Sequence, residues 1–304
     1  MAYFYAALMA QFCSALDTDG AAKVMSIYLL LAIGFKGGAA VAKSGVDAQL
    51  IASLGAGIVL SFVLPFVAYA LLRLMTRLDD LNAAAVAGHY GSISIVTFVT
   101  AVSLLEARGI PSEGYLVAVA AVMEVPAIMS ALWIAVRKGG VSAADCSLFR
   151  HIFGNGSIVL LIGSFAIGTI TGESGLNDLR PFIVVPFTGV LAVFLLDMGL
   201  SAGRSLLEHR KEISGGLLAF GCVMPVVGSL FGLGFAHLIG LSTGGIFLLM
   251  VLSASASYIA VPAAMRLALP QAKSGIYLTL ALGVTFPFNL TLGMPLYFLL
   301  ANWI

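Results

Sequence analysis

Two short polar stretches interrupt an otherwise apolar sequence, and both carry hydroxyls beside small residues: 88–97, GHYGSISIVT, and 253–262, SASASYIAVP. A helix broken at such a place leaves backbone amides without intrahelical partners, and its half-helix N-terminus carries partial positive charge. Two half-helix N-termini facing one another would hold a small anion, with Ser92, Ser94, Thr97, Ser255 and Ser257 supplying hydroxyls and Gly91 close by. Pro262 lacks a backbone donor and obstructs the preceding turn, which predicts the second break near 257–261. The plainer alternative is that Gly, Ala and Ser merely line close helix contacts, as they commonly do in membrane bundles.

Glu124, in VMEVPAI, lies at the centre of an apolar run. A carboxylate there is costly and usually faces a pathway or a partner, so it is the leading cation-site residue; the alternative is a protonated glutamate hydrogen-bonded for packing. Thr285 and Asn289 flank Pro287 in TFPFN, a proline-broken stretch whose side-chain and carbonyl oxygens are hard ligands suited to sodium; the alternative is a simple kink. Lys36 and Asp197 sit beside two similar glycine motifs and either pair across them or snorkel to opposite interfaces. His89 and His237 have no partner at metal-ligand spacing, and Cys13, Cys146 and Cys222 form neither a metal motif nor a disulfide framework. No nucleophile, base and orienter can be assembled, so the reading is not an enzyme, with no transition metal and no cofactor beyond a coupling sodium ion.

These residues must be positioned by helices. Of 304 residues, 61% are apolar and 10% charged, and the mean hydropathy is +1.08, a composition that belongs in a bilayer. A net charge of +1 gives no basic surface for nucleic acid. Breaks in hydropathy define ten apolar stretches, 2–16, 22–42, 49–75, 83–105, 113–136, 155–171, 181–203, 213–239, 243–267 and 274–302. The first is short for a full crossing and reads as tilted or interfacial. Eleven of the 15 Lys and Arg fall on one side if the N-terminus is outside, so both termini face out and the link 137–152 is cytoplasmic.

The sequence also repeats. LLLAIGFKGGAAV at 29–41 is matched by FLLDMGLSAGRSL at 194–206, aligning Gly34 with Gly199 and Gly38 with Gly203. Downstream, Ser92 and Ser94 align with Ser255 and Ser257, Tyr115 with Tyr277, and Pro126 nearly with Pro287. Five stretches in each copy, 1–136 and 153–304, force the second copy upside down relative to the first. Inverted repeats with broken helices, here the fourth and ninth, are the architecture of secondary transporters.

The ordered set IGFKGG (33–38), GHYGSISIVT, MEVPA (123–127), DMGLSAG (197–203), SASASYIAVPAA (253–264) and the final PFN to GMPLY (287–297) resembles the sodium-dependent bicarbonate permease family across nearly the whole chain. The resemblance implies an all-α polytopic protein of ten spans, with core and gate domains each built from both repeats. It also implies a homotrimer in a bacterial inner membrane and bicarbonate held between the two broken helices. It assigns anion contacts to Ser94, Thr97, Ser255 and Ser257, with Gly91 and Ser92 adjacent, and matches Glu124 to an acidic family position. Ala256 interrupts the second serine patch, and Tyr258 stands where the family carries an aspartate, which puts Tyr258 in the cation set with Glu124, Thr285 and Asn289. The resemblance also implies a small trimeric regulator of the PII nitrogen-signalling type as a candidate partner, although the short 137–151 link lacks the longer insertion of regulated members.

The function this predicts is import of a small anion, bicarbonate first, by sodium symport with alternating access. A sodium-coupled organic-anion carrier, a channel and a non-transporting anion sensor are the alternatives the sequence leaves open.

Overall fold

The computed structural model describes residues 18–45, 47–138, 156–208, 213–258 and 260–303, and among these every regular element is helical. This follows from composition, since a helix satisfies its own backbone where lipid cannot. The elements are α1 (Thr18–Ser44), α2 (Ala48–Met75), α3 (Asp80–His89), α4 (Ile95–Ala107) and α5 (Leu116–Arg137) in the first half. The second half holds α6 (Gly156–Asp178), α7 (Arg180–Ile183), α8 (Phe187–Glu208), α9 (Gly215–Ile239), α10 (Thr243–Ser253), α11 (Ala260–Ala268) and α12 (Ser274–Trp303).

Among the described residues, five stretches are long and apolar enough to cross a membrane: α2, α5, α9, α12 and Arg180–Ser201, which runs through α7 into α8. α4 and α10 are apolar but short. Large apolar side chains such as Ile51, Phe62, Val193 and Leu230 are exposed on the outer faces, as lipid contact requires. The expected stretch 2–16, and all but the first two residues of the link 137–152, lie outside the described residues.

Each of the two polar patches separates two helices. α3 ends at His89 and α4 starts at Ile95; α10 ends at Ser253 and α11 starts at Ala260. The second gap falls earlier than the proline predicts. Pro262 stands in the first turn of α11, where backbone N–H groups have no intrahelical acceptor to lose, so it starts the new helix rather than ending the old one. At Pro287, by contrast, the expected break is absent. α12 passes it by widening into π-helical turns at Thr279–Thr285 and Asn289–Gly293, which accommodate the missing donor without a break.

Small residues set the packing. α1 lies along α6, where a Cβ at Gly38 would overlap the Phe165 carbonyl and a Cβ at Gly168 would overlap that of Phe35, so the two backbones touch. α8 packs on α1 and on the first π-helical turn of α12. α2, α3 and α5 pack together, and α9 packs on α2, α10 and α12. Asp79 caps α3 by accepting from Asn82 N at 2.9 Å and Asn82 Nδ2 at 2.7 Å, while Asn82 Oδ1 accepts from Lys273 N at 2.7 Å. The starts of α3 and α12 are thereby tied together.

Candidate functional site

The two helix gaps meet. The Ser257 peptide N–H, in the second gap, donates to the carbonyl oxygen of His89, the last residue of α3, at 2.8 Å. That carbonyl belongs to a helix end whose acceptors have run out of intrahelical donors, so each gap satisfies an orphan of the other.

On the α4 side, Ser94 is the N-cap. Its Oγ accepts from Thr97 N at 3.2 Å and from Thr97 Oγ1 at 2.8 Å. Accepting twice leaves the Ser94 hydroxyl proton to donate elsewhere. Ser257 plays the matching part for α11, its Oγ accepting from Val261 N at 3.4 Å, and its proton too has no acceptor among the described residues. Tyr258 is buried, with its ring edge-on to Phe286. Its hydroxyl faces the Ser94 side chain but makes no hydrogen bond of acceptable geometry among the described residues. Three hydroxyl protons, those of Ser94, Ser257 and Tyr258, therefore stand without acceptors among the described residues at the two gaps.

Ser255 bonds locally. Its Oγ donates to Val251 O at 2.6 Å, within its own helix end, so its hydroxyl proton is engaged. Gly91 is required for packing: a Cβ there would overlap the Pro65 ring and the Ser61 carbonyl oxygen. Ser92 points to the other side, donating to Glu124 Oε2 at 2.5 Å. Glu124 sits at a hitch in α5 after Met123, and the Met123 carbonyl accepts from Ser61 Oγ of α2. No cationic side chain pairs with the buried Glu124 carboxylate among the described residues.

Thr285 and Asn289 stand at the two edges of the π-helical turns, away from Glu124 in their bonding. Thr285 Oγ1 donates to Gly221 O at 2.8 Å and so accepts from Tyr90 Oη at 2.7 Å. Asn289 Nδ2 donates to Ala254 O at 2.8 Å, and its Oδ1 accepts from Tyr297 Oη at 2.8 Å. These bonds anchor both gaps to α12, Tyr90 being in the first and Ala254 in the second. Each side-chain oxygen keeps one lone pair.

The family model for a Na+-dependent bicarbonate transporter superfamily matches residues 1–302. The chain belongs to the Na+-dependent bicarbonate transporter superfamily. No curated protein matches it. Membership in a transporter family makes this member of the superfamily a membrane protein and not an enzyme, and the family name gives bicarbonate and sodium as what is transported.

Sequence reasoning did not single out His89, Tyr90 or Ser61 as parts of this transporter's site. Tyr90 was legible as a member of the GHYGSISIVT patch, but its partner Thr285 lies 195 residues away. His89 contributes through its backbone carbonyl, which no residue type signals. Its ring turns back along α3, with Nδ1 2.7 Å from Ala85 O, and stacks on Tyr277 at 4.5 Å. Among the described residues no three His, Cys, Asp or Glu side chains cluster to hold a metal ion.

Proposed function

We propose that the chain imports bicarbonate by sodium symport, with the anion bound where the two helix gaps meet. The observation that carries this reading is that hydroxyl protons at Ser94, Ser257 and Tyr258 have no acceptor among the described residues, at two gaps joined by the Ser257 N–H to His89 carbonyl bond and beside the N-termini of α4 and α11. Bicarbonate offers three oxygens as acceptors, and helix N-termini favour negative charge. Gly91, Ser92, Thr97 and Ser255 complete the wall of the same two gaps.

The cage contains no full positive charge. A sodium ion held by the Glu124 carboxylate, with oxygens of Tyr258, Thr285 and Asn289 in the surrounding set, supplies the missing attraction, and in a low-dielectric interior anion and cation each favour the other's binding. That mutual dependence is the physical basis of coupling. Ten spans in two inverted repeats, 1–136 and 153–304 about the link 137–152, let the loaded core, α2–α5 with α9–α12, move against a gate built from the first stretch and α1, α6 and α8, giving alternating access. The reading extends to a homotrimer in a bacterial inner membrane with both termini outside.

The test is uptake of radiolabelled bicarbonate into proteoliposomes with and without an inward sodium gradient. Accumulation that requires the gradient and is weakened when Glu124 is replaced by Gln is the expected result. Flux of an organic acid but not bicarbonate, saturable and sodium-driven, would overturn the substrate assignment; binding with no flux of any anion would overturn transport.

A further inference from the structure

A cavity of about 270 Å³ opens between α1 and α4. Its lining on α4 is Phe98, Val102, Leu105 and Glu106, one helical face, and on α1 it includes Ile33, Lys36 and Ala40, again one face. The two faces run the same course. Glu106 marks the mouth, with its side chain 51% exposed, and Phe98 the floor, at 0%. Phe98 N donates to Ser94 O, so the floor is one helical turn from the cap that begins the anion site.

Lys36 is the cationic side chain on this cavity, and its Nζ lies 2.6 Å from Glu106 Oε1. The same ammonium stands 4.8 Å from the centre of the Phe187 ring on α8, which holds it at the mouth whether or not Glu106 is engaged. The second carboxylate at the mouth, Glu113, is occupied otherwise: it accepts from Ser242 N at 2.7 Å and Ser242 Oγ at 3.0 Å. The pair is partly open to water, the Lys36 side chain 22% and the Glu106 side chain 51% exposed, so a small oxyanion from solvent can compete with the half-solvated carboxylate for the ammonium.

We propose that this cavity is the vestibule of the transport site and that Lys36 is its first anion contact, taking an incoming oxyanion from solvent as Glu106 swings away. The proposal rests on the bicarbonate reading above. Once bound at Lys36, the anion has only the depth of the α4 face between it and Ser94, with Phe98 as the side chain to be passed. Glu106 keeps Lys36 from holding the anion too tightly, since it retakes the ammonium when the anion moves inward.

Two measurements test this. In the uptake assay, Lys36→Gln raises the KM for bicarbonate by about fivefold with little change in kcat, Lys36→Arg restores it, and Glu106→Gln lowers KM instead of raising it. If Lys36→Gln and Glu106→Gln impair uptake equally, the pair is a structural strap and the proposal falls. The second measurement needs no flux: an amine-reactive reagent is applied to the purified protein, and modification at Lys36 is read by peptide mass spectrometry. In the Glu106→Gln protein, millimolar bicarbonate protects Lys36 and equal chloride does not. Intact wild-type uptake without protection overturns the vestibule alone; protection without any sodium-driven uptake overturns the transport reading and leaves the vestibule standing.

Discussion

Ser257 donates its peptide N–H to the carbonyl oxygen of His89 at 2.8 Å, and through that bond the end of α3 and the start of α11 are one structure. Residues far apart in the chain thus share a gap in which hydroxyl protons outnumber acceptors. The arrangement separates capping from binding: Ser94 serves its helix by accepting, which leaves its proton for a ligand.

That separation makes Ser94 testable. Ser94→Ala removes an N-cap and should lower stability by about 1 kcal/mol, together with loss of uptake. Ser94→Asp caps as well as serine, so the melting temperature in detergent should return towards wild type, but a carboxylate now stands where the anion binds and uptake should stay absent. Recovery of uptake in Ser94→Asp would remove Ser94 from the anion site.

Tyr258 carries a buried hydroxyl with no partner among the described residues. Leaving such a group unpaired costs about 1–3 kcal/mol, so Tyr258→Phe should match or exceed wild type in thermal stability without substrate. Uptake should nevertheless fall, and the stabilisation that added bicarbonate gives wild type should shrink. A variant that transports normally would show the hydroxyl to be incidental.

Glu124→Gln keeps an oxygen to accept from Ser92 Oγ and removes only the charge. The fold should persist, while the sodium concentration for half-maximal uptake rises by about tenfold, a loss near 1.4 kcal/mol. Unchanged sodium dependence would place the cation elsewhere.

Gly91→Ala puts a methyl group into the Pro65 ring and the Ser61 carbonyl oxygen. Overpacking of this kind costs about 1–3 kcal/mol, and because Ser61 also holds the Met123 carbonyl next to Glu124, sodium affinity should fall with it. Thermal unfolding and sodium titration of the same preparation check both effects.

Asp79, outside the membrane-spanning helices, supplies a pH test. Burial pushes its carboxyl up, but hydrogen bonds from Asn82 N and Nδ2 outweigh this and hold it below the ordinary range. A depressed folded value stabilises the protein above the unfolded pKa of about 3.9 and the gain is lost as pH falls through the folded value. The stability gap between wild type and Asp79→Ala should therefore be constant from about pH 7 to 5 and close at lower pH, as followed by thermal melts across pH.

Much of this was written in the sequence. A chain with 10% charged residues and long apolar runs reads as helical in lipid, and the clustered Gly and Ser at 88–97 and 253–257 mark the two places where helices are interrupted. The GHYGSISIVT and SASASYIAVP patches and the isolated Glu124 were legible because they depend on residue type and local spacing. The exact place of the second gap was not: proline is excluded from a helix interior but welcome in a first turn, and only the start of α11 shows which applies to Pro262. The partners were beyond reach for a stronger reason. Ser92 with Glu124, Tyr90 with Thr285, Lys36 with Glu106 and Ser257 with His89 join positions 32 to 195 residues apart. Which of many polar groups meet is decided by how close the glycine faces let whole helices approach, and that is a property of packing rather than of any local segment.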